Sequence, residues 1–153
     1  MKMIFIINMN ENSTLPLSEH WLYRLQASGY RLTHPLQIIV EILANATRAL
    51  EPLQIYDLGR QSYPKMGLVT VYRALEKMEE LGLIQRVHQA DGCHAYLRAA
   101  NGHEHLLFCR NCGKAVFFSG DDISSLIDRV TSQSGFVIED HWLQLVGVCA
   151  DCR

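Results

Sequence analysis

Cys109 and Cys112, then Cys149 and Cys152, form two Cys-x-x-Cys pairs in the last third of this 153-residue chain. Each pair puts two thiols on one tight turn, and two pairs supply the four-sulfur tetrahedral shell that Zn²⁺ takes in closed structural sites. The stretch between the pairs is too long for a minimal zinc ribbon, so the metal is expected to tie together the two ends of a small subdomain. The other readings of these residues are four unrelated buried cysteines or two local redox pairs. Disulfides fit less well. The apolar start from Met1 to Ile7 is short, carries only Lys2 as a cation and has no small-residue cleavage site after it. The chain is therefore expected in the cytoplasm, where thiols stay reduced.

An apolar fraction of 48% allows one large core or two small ones, and no run reaches the roughly 18 to 20 apolar residues of a membrane span. A formal net charge of -2 gives no global attraction for nucleic acid. Any DNA contact must come from Arg and Lys gathered on one surface.

Hydrophobic spacing predicts a helix over Ser18 to Ala27, with Ser18 as cap and Gly29 as stop, and a second after Thr33-His34-Pro35 carrying Ile38, Ile39, Ile42 and Leu43 inward. A short third helix over Pro52 to Arg60 carries Leu53, Tyr56 and Leu58. From Gly67 to Leu81, Val71, Ala74, Leu75, Met78 and Leu81 share one stripe, with Arg73, Glu76, Lys77 and Glu80 opposite, and Gly82 ends the helix. Leu83 to His88 and Cys93 to Leu97 read as a hairpin around Ala90-Asp91-Gly92. Helices followed by a two-stranded wing describe a winged helix-turn-helix. Further on come strands at Glu104 to Phe108, Ala115 to Phe118 and about His141 to Val148, and a helix from Asp121 to about Ser132. The stripe Ile123, Leu126, Ile127, Val130 on that helix suits packing on a sheet. A sheet this short gains from pairing with a second copy.

The fold class expected is thus α+β: a flexible arm over 1–17, a winged-helix DNA-binding domain over 18–97, a hinge over 98–102 and a small α/β metal-binding dimerisation domain over 103–153.

Several motifs together resemble the ferric uptake regulator (Fur) family of metal-dependent repressors. They are Gly29-Tyr30-Arg31-Leu32-Thr33-His34-Pro35, Val69-Thr70-Val71-Tyr72-Arg73-Ala74-Leu75, Gly82-Leu83-Ile84, and His103-Glu104-His105-Leu106-Leu107-Phe108-Cys109-Arg110-Asn111-Cys112-Gly113. The resemblance runs from Leu22 to Cys152. It implies a homodimer that grips a palindromic DNA operator when a sensory metal is bound. It leaves the metal open, and the zinc uptake regulator type is the branch favoured here.

Cys109, Cys112, Cys149 and Cys152 would hold the structural Zn²⁺. His103 and His105 alternate by two, so both imidazoles leave a strand on one face. With the late His141 and a carboxylate they make a site suited to Zn²⁺, Fe²⁺ or Co²⁺, since neutral nitrogen ligands fit borderline metals. The resemblance places these histidines at sensory-site positions. It also places a helix carboxylate where this chain has Ser124. Asp122 or Asp121, near the start of the same helix, is the expected substitute, and Glu104 the weaker one because it leaves the strand on the other face. A second sensory site in many relatives needs acids or histidines where this chain has Leu97, Leu106 and Phe117, and it is expected to be missing. His20, His34, His88 and His94 read as ordinary surface or core residues, as does Cys93.

For DNA, the reader helix inserts its first turns into the major groove, so residues from Lys65 to Arg73 matter most. Thr70, Tyr72 and Arg73 match family contact positions, Tyr72 for a thymine methyl and Arg73 for a phosphate or a guanine edge. Arg31 matches a basic residue that reaches a neighbouring minor groove, and Lys77 and Arg60 add phosphate contacts. The bland reading leaves Arg73 and Lys77 on a solvated face with Glu76 and Glu80. Leu36-Gln37 stands where relatives carry an arginine after Pro35, which weakens the phosphate component. Within the family, the rival reading is an iron- or peroxide-responsive repressor. Outside that sensor class stand a zinc hydrolase, which has no use for a wing and a reader helix, and a zinc-stabilised DNA-binding module without sensing.

Overall fold

The computed structural model describes residues 15–88, 92–102, 104–119, 123–141 and 143–153. The chain order is α1 (Leu17–Ala27), α2 (His34–Ala44), α3 (Pro52–Ser62), α4 (Leu68–Glu80), β1 (Ile84–His88), β2 (His94–Arg98), β3 (Glu104–Cys109), β4 (Ala115–Ser119), α5 (Ile123–Ser134), β5 (Gln144–Gly147) and a closing 3-10 turn (Ala150–Cys152).

Helix boundaries follow local chemistry. Thr33 Oγ1 accepts from the Leu36 N–H at 3.4 Å, and Pro35 sits in the first turn of α2. α1 begins at Leu17 after an extended Pro16, so Ser18 lies inside its first turn and does not cap it. α1 and α4 both end in Schellman motifs. After α4, Gly82 at φ +64° donates to Glu79 O and Leu83 donates to Met78 O, both at 2.9 Å.

Val71, Ala74, Leu75 and Met78 of α4 bury their stripe against Trp21, Leu25, Ile39, Leu43 and Ile55, and Leu83, Ile84 and Tyr96 of the hairpin close this first core. α3 turns a different face inward than its leucines suggest. Ile55 and Gly59 are buried, whereas Leu53 and Leu58 are exposed. The inward row is Pro52, Ile55, Tyr56, Gly59, and a Cβ on Gly59 would meet the flexible end of Met66, its Cε, at 2.9 Å.

β1 and β2 pair antiparallel, with Ile84 opposite Arg98. The second sheet has the order β4-β3-β5, with β3 antiparallel to β4 and parallel to β5. A second apolar cluster joins the two sheets: Val87, Ala95 and Leu97 from the hairpin, Leu106 and Phe108 from β3, and Ala49. Ala115 and Phe117 pack against it. Leu97, Leu106 and Phe117 thus fill one apolar contact region.

The segment between α2 and α3 stitches the sheets by backbone. Leu50 exchanges hydrogen bonds with Tyr96 at 2.8 and 2.9 Å, and the Ala49 N–H donates to Gly113 O at 3.0 Å. Arg48 bridges to Lys114. α5 differs from expectation: none of its residues is buried, and Leu126 and Val130 are exposed. Its stripe is not covered by the chain's own sheet, which also leaves Leu107, Val116, Leu145 and Val146 exposed. Among the described residues, no helix is long and apolar enough to cross a membrane.

Candidate metal centre and nucleic-acid interface

Cys109 ends β3, and the turn that follows folds back at once: Gly113 N–H donates to Cys109 O and Cys109 N–H to Lys114 O, both at 2.9 Å. Cys149 follows β5, and Cys152 N–H returns to Cys149 O at 3.0 Å. Parallel pairing of β3 with β5, Cys109 opposite Gly147, brings the two turns side by side. The four sulfurs lie within 4.8 Å of one another, the one such group found among the described residues. Cys112 Sγ stands 3.7 Å from Cys149 Sγ. Four sulfurs about 2.3 Å from a tetrahedral Zn²⁺ stand about 3.8 Å apart, whereas a disulfide needs about 2 Å. The donor set and its spacing fit Zn²⁺.

The surroundings favour the thiolate at Cys109. The Cys149 N–H points at Cys109 Sγ at 3.3 Å, and this backbone donor, with that of Cys112, holds the Cys109 thiol down at about 6. Cys152 is pushed up to about 12 by its sulfur contacts with Cys149 and Cys112, since neighbouring thiols cannot all ionise without a cation among them. Lys114 Nζ pairs with Asp151 at 3.2 Å and links the first cysteine turn to the second.

A second constellation lies farther up β3. His105 is buried, 4% exposed, and its ring centroid lies 5.6 Å from that of His141 and 5.6 Å from that of Phe118. Two imidazoles from segments distant in sequence therefore meet. His141 reaches this place from the loop before β5 and not from the strand itself. His103 and Asp122 lie outside the described residues. Ser124 is exposed on α5, and Glu104 is engaged by Arg98 at 3.0 Å.

At the reader helix, Lys65, Tyr72 and Arg73 are exposed and Thr70 is half-buried. Val69, 63% exposed, stands three residues before Tyr72 and adds an apolar side chain to the same outward face. Sequence periodicity did not single it out. An apolar residue breaking the polar face of α4 was the available signal. Arg31 is exposed beside Tyr30, whose hydroxyl donates to Glu80 at 3.1 Å. Lys77 is drawn inward, its ammonium 5.0 Å over the Tyr30 ring. Arg60 Nη1 donates to the Tyr56 hydroxyl at 3.4 Å.

The family model described as the ferric uptake regulator family matches residues 27–146. The chain belongs to the ferric uptake regulator family. A ferric uptake regulation protein of Neisseria meningitidis serogroup A is 31% identical over 132 residues, covering 85% of this chain and 91% of the relative. A zinc uptake regulation protein of Mycobacterium tuberculosis is 30% identical over 129 residues, covering 84% and 99%. The Fur-family fold is also seen in the structure of the Helicobacter pylori ferric uptake regulator, with a TM-score of 0.71 at 22% identity over 88% of this chain and 93% of that one. Relatives of this Fur-family chain thus include iron and zinc regulators at nearly equal identity.

Proposed function

We infer that this Fur-family chain is a metal-responsive repressor of metal homeostasis that binds palindromic operators as a homodimer when a sensory metal fills its histidine site, with zinc favoured. The observation that carries the reading is the approach of His141, in the loop before β5, to His105 on the strand that ends in Cys109. Residues 18–97 are the DNA-binding domain, 98–102 the hinge and 103–153 the metal-binding dimerisation domain, with 1–17 as an arm. Cys109, Cys112, Cys149 and Cys152 would hold a structural Zn²⁺. His103, His105 and His141, with Asp122 as the carboxylate, would hold the regulatory dication. An imidazole-rich set suits a borderline ion, and Zn²⁺ is preferred over Fe²⁺ on that ground. A bound cation supplies positive charge that draws these side chains together.

The chain's own residues do the rest. Lys65, Thr70, Tyr72 and Arg73 present the reader to the major groove, and Arg31 and Lys77 flank it. The exposed apolar side chains of α5 and the second sheet support pairing with a second copy, which would cover them. Coupling between the two kinds of site is on the order of 1 to 3 kcal/mol in such systems. The chain is read as a regulator acting in the cytoplasm and not as an enzyme, since a wing and a reader helix serve binding rather than bond cleavage.

A titration of operator binding against buffered Zn²⁺, Fe²⁺ and Mn²⁺ tests the proposal. The expected result is tighter binding on Zn²⁺ addition while the zinc at the four cysteines stays constant. Equal affinity with and without the second metal would overturn the switch, and activation by Fe²⁺ alone would move the chain to the iron-responsive reading.

A further inference from the structure

The geometry points to Arg98 as the positioning residue through which the histidine-bearing strand acts on the winged helix. This role rests on the sensing function proposed above and adds the element that carries it.

Arg98 is the last residue of β2, at the end of the wing. Its guanidinium lies 3.6 Å over the Phe117 ring of β4. The same group forks onto Glu104, Nη1 to Oε2 at 3.0 Å and Nη2 to Oε1 at 3.4 Å, and Nη1 also donates to Ala99 O at 3.2 Å. One side chain from the wing thus grips both β3 and β4 of the other sheet. Only arginine makes this set, because a planar guanidinium stacks on a ring through its face while its edge donates in parallel to a carboxylate.

The connecting segment is pinned around this clasp. Ala99 N–H donates to Leu83 O at 3.0 Å, Ala100 N–H to Gln85 Oε1 at 3.0 Å, and Asn101 N–H to Glu104 Oε2 at 3.0 Å. Glu104 N–H returns to Asn101 O at 3.0 Å. Within the expected hinge, the amides of residues 99–101 are thus all engaged. Beneath it, Leu97, Leu106 and Phe108 form an apolar floor.

Glu104 and His105 are neighbours on β3, and successive strand side chains leave on opposite faces. His105 meets His141 on one face while Glu104 meets Arg98 on the other. A shift of this end of β3 that brings His105 onto a cation carries the Glu104 carboxylate with it. Arg98 then transmits that shift to β2 and the reader lobe.

The test uses the full-length protein with the zinc at its four cysteines retained, comparing wild type, Arg98→Met and Arg98→Lys. Operator affinity is measured with and without buffered sensory Zn²⁺, and amide exchange of residues 99–101 is followed on Zn²⁺ addition without DNA. In Arg98→Met the metal-free operator affinity is expected to stay within about twofold of wild type. The metal-induced gain is expected to fall at least about fivefold, the low end of ordinary allosteric coupling. The metal-induced protection at 99–101 should also vanish. Arg98→Lys keeps the charge but not the fork and should fall between the two, which keeps the test open if the methionine variant fails to fold. An undiminished metal-induced gain in both folded variants overturns the role of Arg98. If wild-type DNA binding ignores the metal, the sensing function falls by itself. The clasp is then judged on exchange alone, where protection that survives in the variants overturns it.

Discussion

Gly113 and Ala49 meet backbone to backbone: the Ala49 N–H donates to Gly113 O at 3.0 Å, and a Cβ on Gly113 would sit 3.4 Å from Ala49 O. Gly113 also has φ +73°, in the left-handed region where a side chain is strained. Gly113→Ala is expected to cost about 1 to 2 kcal/mol from that strain, because the added Cβ itself meets Ala49 O only at ordinary contact distance. Zinc stoichiometry should be unchanged. Urea unfolding alongside metal analysis checks both, and a stability equal to wild type would show that the turn does not need glycine at this position.

Cys112→Ser and Cys149→Ser each remove one of two sulfurs that stand 3.7 Å apart. Structural zinc in small sites contributes on the order of 10 kcal/mol of apparent binding energy that is also folding energy. Loss of tight zinc and loss of the β4-β3-β5 sheet are expected together, while the helical core around Val71, Leu75 and Met78 persists. Metal content and circular dichroism read the two effects. A variant that keeps one tightly held zinc would count against a four-cysteine centre.

Tyr72 and Arg73 are exposed, and Arg73→Ala and Tyr72→Ala should leave thermal stability within about 0.5 kcal/mol of wild type, as surface changes usually do. Arg73→Ala is expected to weaken binding to all sequences and to lower the salt slope by about one, the mark of a lost phosphate contact. Tyr72→Ala is expected to reduce preference for thymine at one position. Fluorescence anisotropy at several salt concentrations separates these outcomes. Unchanged binding in both variants would take α4 out of the groove.

The Tyr30 hydroxyl donates to Glu80, and this hydrogen bond is the main cause of its raised pKa, with burial and the charges of Glu80 and Glu76 adding to it. A phenol raised in the folded state contributes stability that is fully present below its unfolded value of about 10 and is lost as pH rises through the folded value. Spectrophotometric titration should show a late-ionising tyrosine that Tyr30→Phe removes, distinct from Tyr96, which burial raises. A titration curve that Tyr30→Phe leaves unchanged at high pH would contradict the contact.

Leu126 and Val130 stand uncovered on α5. Leu126→Asp is expected to shift the protein from dimer to monomer in sedimentation experiments while leaving the helical core folded, because a carboxylate in an apolar interface is left desolvated. A dimer that survives the change would place the pairing surface elsewhere.

What could be read from the chain beforehand follows from what leaves a side-chain signature. The cysteine turns were legible from spacing, and α4 from a stripe with a glycine stop. α3 was harder, since its leucines lie off the inward row and Ile55 with Gly59 carries the packing. The stripe on α5 is visible in the sequence, but the pattern does not say which sheet covers it, and the chain's own sheet does not bury it. His141 was expected on a strand and stands in the loop before β5. The joining of Thr47–Ala49 to Gly113–Ala115, and of Leu50 to Tyr96, was invisible because it is made by backbone groups, which every residue carries. The Arg98 clasp was hidden for another reason: it depends on how the two sheets dock, a property no local pattern encodes.

Arg48 and Leu50 bridge to Lys114 and Tyr96, one to each sheet, with a single residue between them. The connection between α2 and α3 therefore acts as a gauge block. Lengthening it by one residue between Arg48 and Leu50 would break one bridge or slide one sheet past the other. The spacing from Arg48 to Leu50 is thus matched to the separation of Lys114 from Tyr96, whatever the length of the connection on either side of it.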